Sequence, residues 1–226
     1  MTELDSRQPG RADLAPRNGA VLVLILFALP IAFYGLTFPF SGVNQPFREH
    51  LDALPFGLIP HVLGSGVALL IGGLQFLPQL RVTHPSLHRL VGRIYLSSVL
   101  LGGLGGLAIA TISHGGISTH IGFGMLALLW LGSGMAAWRA ILRRDIPAHR
   151  RWMIRSFAMT FAAVMLRLQM PLLTVGLGAS FDAAYQTVAW SAWVPNLLFA
   201  EWWLLRDVDG AATMPERTST TSSSSD

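Results

Sequence analysis

LVGRIYLSSVLLGGLGGLAIATIS, residues 90–113, contains a single charged side chain, that of Arg93. About 20 mostly apolar residues suffice for a helix to cross the hydrocarbon core of a bilayer, so this stretch is predicted to span a membrane. Five further stretches have the same character. Together the six predicted spans are residues 19–38, 57–80, 90–113, 121–142, 152–176 and 184–205.

The composition agrees with a membrane protein and excludes several other classes. Of the 226 residues, 12% are charged and 52% are hydrophobic, whereas soluble domains carry about 25% charged residues. A soluble enzyme is therefore not expected. The chain has no cysteine, which excludes disulfides, iron–sulfur clusters, thiolate metal sites and a cysteine nucleophile. The sequence also contains no nucleotide-binding loop or Rossmann glycine fingerprint.

The basic residues predict how the helices are oriented. All 16 are arginines, and if the N-terminus is cytoplasmic, all except Arg48 and Arg167 fall on the cytoplasmic side or at its edge. This is the bias of the positive-inside rule. The chain is thus predicted to be an all-α polytopic protein of the bacterial cytoplasmic (inner) membrane, with both termini cytoplasmic. The positive charge then serves orientation and contact with membrane lipids, and no nucleic acid partner is expected.

Three regions are predicted along the chain. Residues 1–18 form a polar N-terminal segment, and residues 19–206 form the six-helix transmembrane domain, in which helices 2–5 make a central four-helix bundle. Residues 207–226 form a tail that ends in serine and threonine and is predicted to be disordered. The glycines at 102–106 lie in the third helix, where they are expected to permit close helix packing.

Each central helix is predicted to begin near one histidine. His61 follows Pro60, and His88 follows Pro85 and Ser86. His120 follows Ser118 and Thr119, and His149 follows Asp145 and Pro147. Proline, serine, threonine and aspartate are typical of helix starts. The other three histidines, His50, His84 and His114, are expected to be solvated loop residues.

The predicted topology sorts these four histidines into two pairs. Helices 2 and 4 run inward, which places His61 and His120 at the outer level. Helices 3 and 5 run outward, which places His88 and His149 at the inner level. Two histidines on facing helices are what bis-imidazole ligation of a haem iron requires, with a second acceptor fixing the other ring nitrogen. We therefore expect two haems b, with these four histidines as ligands of the iron.

The helix faces extend this hypothesis. Position +14 from each histidine lies about 21 Å along the helix, close to the level of the other pair. In three helices this position holds a small residue, Gly102, Gly134 or Ala163, which is expected to leave space for a flat macrocycle. The fourth helix has Gln75 there, for which the sequence offers no reason.

Arg167 lies deep within a predicted span, whereas Arg93, Arg139 and Arg155 are close to the cytoplasmic ends of theirs. Such a residue normally faces the bundle interior and has a partner. It is 18 residues from His149, or about 27 Å, so we expect it at the outer level, near the propionates of an outer haem. A snorkelling arginine near the helix end is the alternative. The inner arginines Arg89, Arg93 and Arg150 are candidates for inner propionates or for ordinary anchoring at the membrane surface.

The segments Leu87-His-Arg-Leu-Val-Gly-Arg-Ile-Tyr95 and His149-Arg-Arg-Trp-Met-Ile-Arg-Ser156 resemble paired signatures of an uncharacterised family of bacterial multi-pass membrane proteins. The resemblance extends from about Pro60 to Glu201. In arrangement, the four histidines also resemble the two-haem b-type transmembrane cytochromes typified by ascorbate-dependent ferrireductases. That resemblance implies haem b and transmembrane electron transfer, with ligand roles for His61, His120, His88 and His149.

Three functions remain open from the sequence. The first is a two-haem cytochrome that exchanges electrons with a quinone or another small molecule. The second is a small-solute or proton-coupled transporter with titratable histidines. The third is a non-catalytic assembly or envelope protein. A homodimer or a partner membrane protein is compatible with each of them.

Overall fold

The computed structural model describes residues 15–38 and 45–212, which are helical with short connections and contain no strand. Residues 1–14 of the predicted N-terminal segment and residues 213–226 of the predicted tail lie outside the described ranges. The helices are α1 (Ala15–Thr37), α2 (Gln45–Ala53), α3 (Pro55–Gly72), α4 (Pro78–Thr83), α5 (Pro85–Ala110), α6 (Ile117–Leu142), α7 (Ile146–Thr160), α8 (Ala162–Pro171), α9 (Phe181–Ser191) and α10 (Val194–Ala212). A 3₁₀ turn (Gly73–Phe76) follows α3, and a π turn (Leu172–Gly176) follows α8.

Four segments of the described chain are long and apolar enough to cross a membrane. They are Pro55–Phe76, Pro85–Ala110, Ile117–Leu142 and Ile146–Gly176, which confirms predicted spans 2 to 5. The first predicted span corresponds to a shorter apolar helix, Val21–Thr37. The sixth is divided between α9 and α10, so the structure shows an all-helical protein with four candidate membrane helices.

The division of the sixth span has a local cause. Pro195 lacks the backbone N–H that would bond to the carbonyl of Ser191. That carbonyl accepts instead from the side-chain amide of Gln169, at 3.2 Å. Helix α10 also continues to Ala212, and α1 begins at Ala15. Both helices thus extend beyond the predicted domain boundaries at residues 206 and 19.

The starts of the central helices agree with the sequence signals in three of four cases. His88, His120 and His149 lie in the first turn or just after it. The Asp145 side chain caps α7 by accepting from the N–H of Ala148 at 2.9 Å. The exception is α3, which begins at Pro55 and contains Pro60. Proline fits the first helical position best, and Pro55 takes it, so His61 lies further inside the helix than predicted.

The four candidate membrane helices form an antiparallel bundle. Helix α5 packs between α3 and α6, α6 packs against α7, and α7 closes the ring against α3. The pairs α3–α6 and α5–α7 are therefore diagonal. Outside this ring, α1 packs on α3, α10 packs on α7, and α9 packs on α6 and α8.

Glycines permit the close approach of α3 and α5. A Cβ atom on Gly64 would lie 2.6 Å from the backbone nitrogen of Gly102, and one on Gly102 would lie 3.0 Å from that of Ser65. The expected packing role of the glycines at 102–106 is confirmed. At Gly134 a Cβ would lie 3.1 Å from the Val99 side chain, and the expectation that this position leaves space for a macrocycle stays a prediction.

Candidate functional site

A cavity of about 210 Å³, which opens outward, lies at one end of the bundle. Its walls come from α1, α2, α3, α5, α6, α7, α8 and α9, and they are mostly apolar or glycine. Polar side chains interrupt them at a few places, among them Tyr34, His50, His61, Ser65, Thr160 and Arg167. This end is called the His61 end below, and the opposite end is called the His149 end.

His61 is fixed by one of its two ring nitrogens. Its Nδ1 lies 2.8 Å from the carbonyl oxygen of Gly102 in α5, so Nδ1–H donates to that oxygen and Nε2 keeps its lone pair. The ring fits there because residue 106 is glycine. A Cβ atom on Gly106 would lie 2.8 Å from Nδ1. The local packing therefore orients an imidazole whose second nitrogen is available as a ligand.

Arg167 lies in the wall of the same cavity, within electrostatic range of His61. Its Nη1 donates to the carbonyl of Ala163 at 3.0 Å, and its guanidinium carbon lies 5.6 Å from the centre of the Tyr34 ring. No carboxylate pairs with it among the described residues. The spacing argument placed Arg167 at the right end of the bundle, since it lines an interior cavity rather than the bundle surface.

His120 is not brought into this cavity. Its Nε2 lies 2.9 Å from the carbonyl of Ser113, and it is absent from the cavity lining. Helix α5 has ended at Ala110, so the Ser113 carbonyl has no helical N–H to accept and takes the imidazole instead. The structure thus places His61 and His120 at the same end without bringing them to a common space.

His88 and His149 lie within electrostatic range of each other at the opposite end. The Nδ1 of His149 lies 2.9 Å from the carbonyl of Ala137 in α6, which leaves its Nε2 available. The Nδ1 of His88 is buried and has no hydrogen-bond partner in the described structure. The side-chain nitrogen of Gln75, also buried and unpartnered, belongs to this region, since the Gln75 oxygen approaches Gly92.

One of the three remaining histidines differs from its predicted state. His50 is 6% exposed and lines the cavity, and its ring packs edge-on against that of His114 with the ring centres 4.9 Å apart. The interpretation of His50 as a solvated loop residue is wrong, because the short helix α2 turns it inward. His84 is exposed and lies 2.7 Å from the Thr83 hydroxyl.

Most of the arginines at the His149 end are exposed. Arg89 donates to the Ser86 hydroxyl at 3.3 Å, and Arg93 and Arg150 also lie on the surface. Nearby, Arg155 forms a two-bonded ion pair with Glu201, with N–O distances of 2.5 and 2.7 Å. Exposure of the first three agrees with anchoring at a membrane surface.

Sequence reasoning missed a buried hydrogen-bonded cluster in the middle of the bundle. It consists of Tyr95 of α5, Trp130 of α6, and Ser156 and Thr160 of α7. A signal was present: Tyr95 lies at +7 from His88, and Ser156 and Thr160 lie at +7 and +11 from His149, so each is on its histidine's helix face.

Within the described ranges, no three histidine, cysteine, aspartate or glutamate side chains come together as a metal site would require. The arrangement instead offers single, oriented imidazoles at each end of the bundle and an unpaired cation beside one of them.

Comparison with known proteins identifies a family of membrane proteins. Residues 58–204 match the model of a family described as "Predicted membrane protein (DUF2306)". The chain belongs to this family. The matched stretch runs from α3 into α10 and includes all four histidines of the predicted pairs, as expected from the resemblance to a multi-pass membrane family. No curated protein and no solved structure matches the chain.

Proposed function

We propose that this membrane protein carries electrons between the two faces of the bilayer through two haems b. The proposed ligands are His61 with His120 at one end and His88 with His149 at the other. The proposal includes six membrane spans with both termini cytoplasmic. Because the sequence has no nucleotide-binding motif, the electron donor and acceptor would be a quinone, another small molecule or a partner membrane protein.

The observation that carries the proposal is the cationic Arg167, which lies in a largely apolar cavity and has no carboxylate partner among the described residues. A charge removed from water is costly unless it is paired. The Tyr34 ring offsets part of this cost, by roughly 0.5–2 kcal/mol, and a neutral carbonyl accepts one bond. The cavity therefore favours a bound anion with a large apolar body, and a haem with its propionates has this chemistry.

The cavity side chains fit that group at two points. His61 would offer Nε2 as a ligand to the iron, because Nδ1–H is held by the Gly102 carbonyl. Arg167 and the Ser65 hydroxyl, which lines the cavity and is buried without a partner among the described residues, are donors for carboxylates. Haem b, when bound, supplies an iron that alternates between the ferric and ferrous states and so holds or releases one electron.

The second proposed site rests on His88 and His149. His149 repeats the arrangement of His61, with Nδ1–H given to a backbone carbonyl and Nε2 available. The unpartnered Nδ1 of His88 and the unpartnered amide of Gln75 are buried polar atoms that a bound group would satisfy. Gln75, unexplained in the sequence, thus acquires a role as a donor at this end.

His120 would have to release the Ser113 carbonyl to serve as the partner of His61. The alternative ligand at this end is His50, because it already lines the cavity.

The test is an absorption spectrum of the purified protein from haem-replete cells, oxidised and then reduced with dithionite. We expect the Soret band of haem b with iron approaching two per chain. His61→Ala and His120→Ala should each lose about half of the haem, since each leaves one site with a single ligand, and their combination should lose little more. His84→Ala is the matched control, because His84 is exposed, and it should keep both haems.

Two other outcomes would change the assignment of the site at the His61 end. Loss of haem in His50→Ala but not in His120→Ala makes His50 the ligand. A colourless protein that copurifies with a fatty acid or another lipophilic anion refutes the haem proposal while retaining the role of Arg167.

A further inference from the structure

A groove of about 390 Å³ lies on the outside of the bundle between α5 and α6, and it is separate from the cavity that contains His61. Each helix contributes one face to it, because the lining residues recur every three or four positions. They include Arg93, Ser97 and Leu100 of α5, and Leu131, Met135 and Trp138 of α6. This groove is called the Arg93 groove below.

The depth of the Arg93 groove comes from a close contact between the two helices. A Cβ atom on Gly134 of α6 would lie 3.1 Å from the side chain of Val99 in α5, and both residues are buried. Outside this contact, Ser97, Leu100 and Met135 are exposed. Gly134 and Val99 therefore form the floor of the groove, and the exposed side chains form its edges.

The Arg93 groove changes from polar to apolar along its length. Because α5 and α6 are antiparallel, Arg93 and Trp138 lie at one end, and Leu100 and Leu131 lie at the other, about 10 Å away. Trp138 is four residues from the end of α6, and tryptophan is typical of the membrane–water interface. The groove thus has a cationic end near the membrane surface and an apolar end in the membrane interior.

The positive charge of Arg93 is not neutralised by the part of the chain that the structure describes. Its guanidinium forms no hydrogen bond or ion pair with a described residue. The candidate membrane helices of a second copy would not supply a carboxylate, because none of the four contains aspartate or glutamate. Glu201 of α10 is already paired with Arg155. An occupant of the groove therefore has to bring its own anionic group.

We propose that the Arg93 groove binds one anionic phospholipid, with the phosphate at Arg93 and one acyl chain along the groove. A guanidinium pairs with a phosphate through two parallel hydrogen bonds. The indole N–H of Trp138, which has no acceptor among the described residues, is a second donor for the polar part of the lipid. The acyl chain contacts Leu100, Leu131 and Met135. This site does not depend on the proposed haems.

The test titrates the detergent-purified protein with phosphatidylglycerol or with phosphatidylcholine of the same acyl chains, and counts bound lipids by native mass spectrometry. Both lipids contain phosphate, but only phosphatidylglycerol carries a net negative charge. At equal lipid concentrations, the complex with one lipid should be several-fold more abundant for phosphatidylglycerol. Arg93→Gln should abolish this preference, and Arg93→Lys should keep most of it.

Arg151→Gln is the matched control. Arg151 is exposed at the same end of the bundle, but it lies on α7, which is diagonal to α5. This variant removes the same charge and should keep the wild-type preference. An equal loss of preference in Arg93→Gln and Arg151→Gln would mean that the lipid responds only to the overall surface charge, and would overturn the proposal.

Ser97→Phe tests the apolar part of the site. It keeps Arg93 and fills the groove with a ring, and Ser97 is exposed, so the core is not disturbed. Binding of phosphatidylglycerol should fall several-fold. Inorganic phosphate should not displace the lipid from the wild type, because it lacks the chain. Unchanged lipid binding in Ser97→Phe, or displacement by inorganic phosphate, would reduce the site to a surface anion site and overturn the proposal.

A second measurement uses quenching of tryptophan fluorescence by brominated acyl chains. The contribution of Trp138 is the difference between the wild type and Trp138→Phe. Brominated phosphatidylglycerol should quench it several-fold more than brominated phosphatidylcholine, and this readout holds even if Arg93→Gln does not fold. Equal quenching by the two lipids would overturn the proposal, as would a dimer that excludes lipid from the groove. None of these outcomes changes the haem spectrum, so the proposed function is tested separately.

Discussion

Arg167 interacts with the carbonyl of Ala163 and the ring of Tyr34, and among the described residues it has no acidic partner. Its environment in the haem-free protein is therefore unfavourable for a cation. In the proposed loaded protein the same charge would be balanced by an anion. Arg167 is thus expected to destabilise the haem-free protein and to stabilise the loaded protein. It is therefore the most informative single residue at the His61 end.

We expect Arg167→Met to stabilise the haem-free protein, by roughly 1–3 kcal/mol, because it removes a buried group whose polar partners are incomplete. Thermal unfolding in detergent would measure this. Arg89→Met is the matched control, since Arg89 is exposed, and should change the unfolding temperature little. A large destabilisation by Arg167→Met would mean that the guanidinium is already well paired.

In the loaded protein, Arg167→Gln should retain both irons and lower the midpoint potential of one of them. Reduction adds an electron, and a nearby positive charge stabilises the reduced state, so its removal disfavours reduction. A potentiometric titration resolves the two haems. Equal potentials in the variant and the wild type would place Arg167 away from both sites.

At the scale of the helices, the α3–α5 contact decides the geometry of the cavity. The Gly64 and Gly102 backbones approach so closely that neither position accepts a side chain without movement. That approach places the Gly102 carbonyl against His61 and leaves room for the imidazole beside Gly106. The orientation of the candidate ligand is therefore a consequence of helix packing.

Gly64→Ala should destabilise the protein by about 1–3 kcal/mol, the usual cost of overpacking, because the new methyl group would meet backbone atoms of α5 at 2.6–2.9 Å. Gly124→Ala is the matched control. Nothing lies within 4 Å of a Cβ there, so alanine should stabilise the helix by up to about 1 kcal/mol. Equal unfolding temperatures for the two variants would contradict the close approach.

At the scale of the whole molecule, the orientation of the bundle depends on the number of spans. The arginines between predicted spans 2 and 3 and between spans 4 and 5 lie at the His149 end, where Arg89, Arg93 and Arg150 are exposed. The cavity lies at the other end. If the positive-inside rule sets the orientation, the His149 end faces the cytoplasm and the cavity opens toward the external side.

Reporter fusions test this topology. Fusions after Ser86 and after Asp145 should report a cytoplasmic location, and one after Gly115 should report an external location. The Gly115 fusion is the internal control for the other two, since α5 and α6 run in opposite directions. The reverse pattern would turn the cavity toward the cytoplasm and would exclude an external electron partner for it.

The sequence by itself determined the class of the protein and the starts of three of its four central helices. Apolar stretches of sufficient length predict membrane helices because backbone groups in a bilayer must pair within the helix, and spans 2 to 5 agree with the structure. Asp145 and the prolines favour helix starts through contacts with their neighbours in the sequence, so their effect could be predicted from the sequence alone. Because helices rise at a constant rate, the ends at which His88, His149 and Arg167 lie followed from spacing alone.

Tertiary structure decided which groups meet. Helix packing determines three features that the sequence did not predict. His50 is buried, His120 bonds to the Ser113 carbonyl, and Tyr95 and Trp130 both bond to the Thr160 hydroxyl. A hydrogen bond depends on tenths of an ångström and on direction, whereas helical periodicity specifies only a face and a level. Spacing could therefore place the histidines at the two ends of the bundle, but only the packed helices determine which ring nitrogen each of them leaves free.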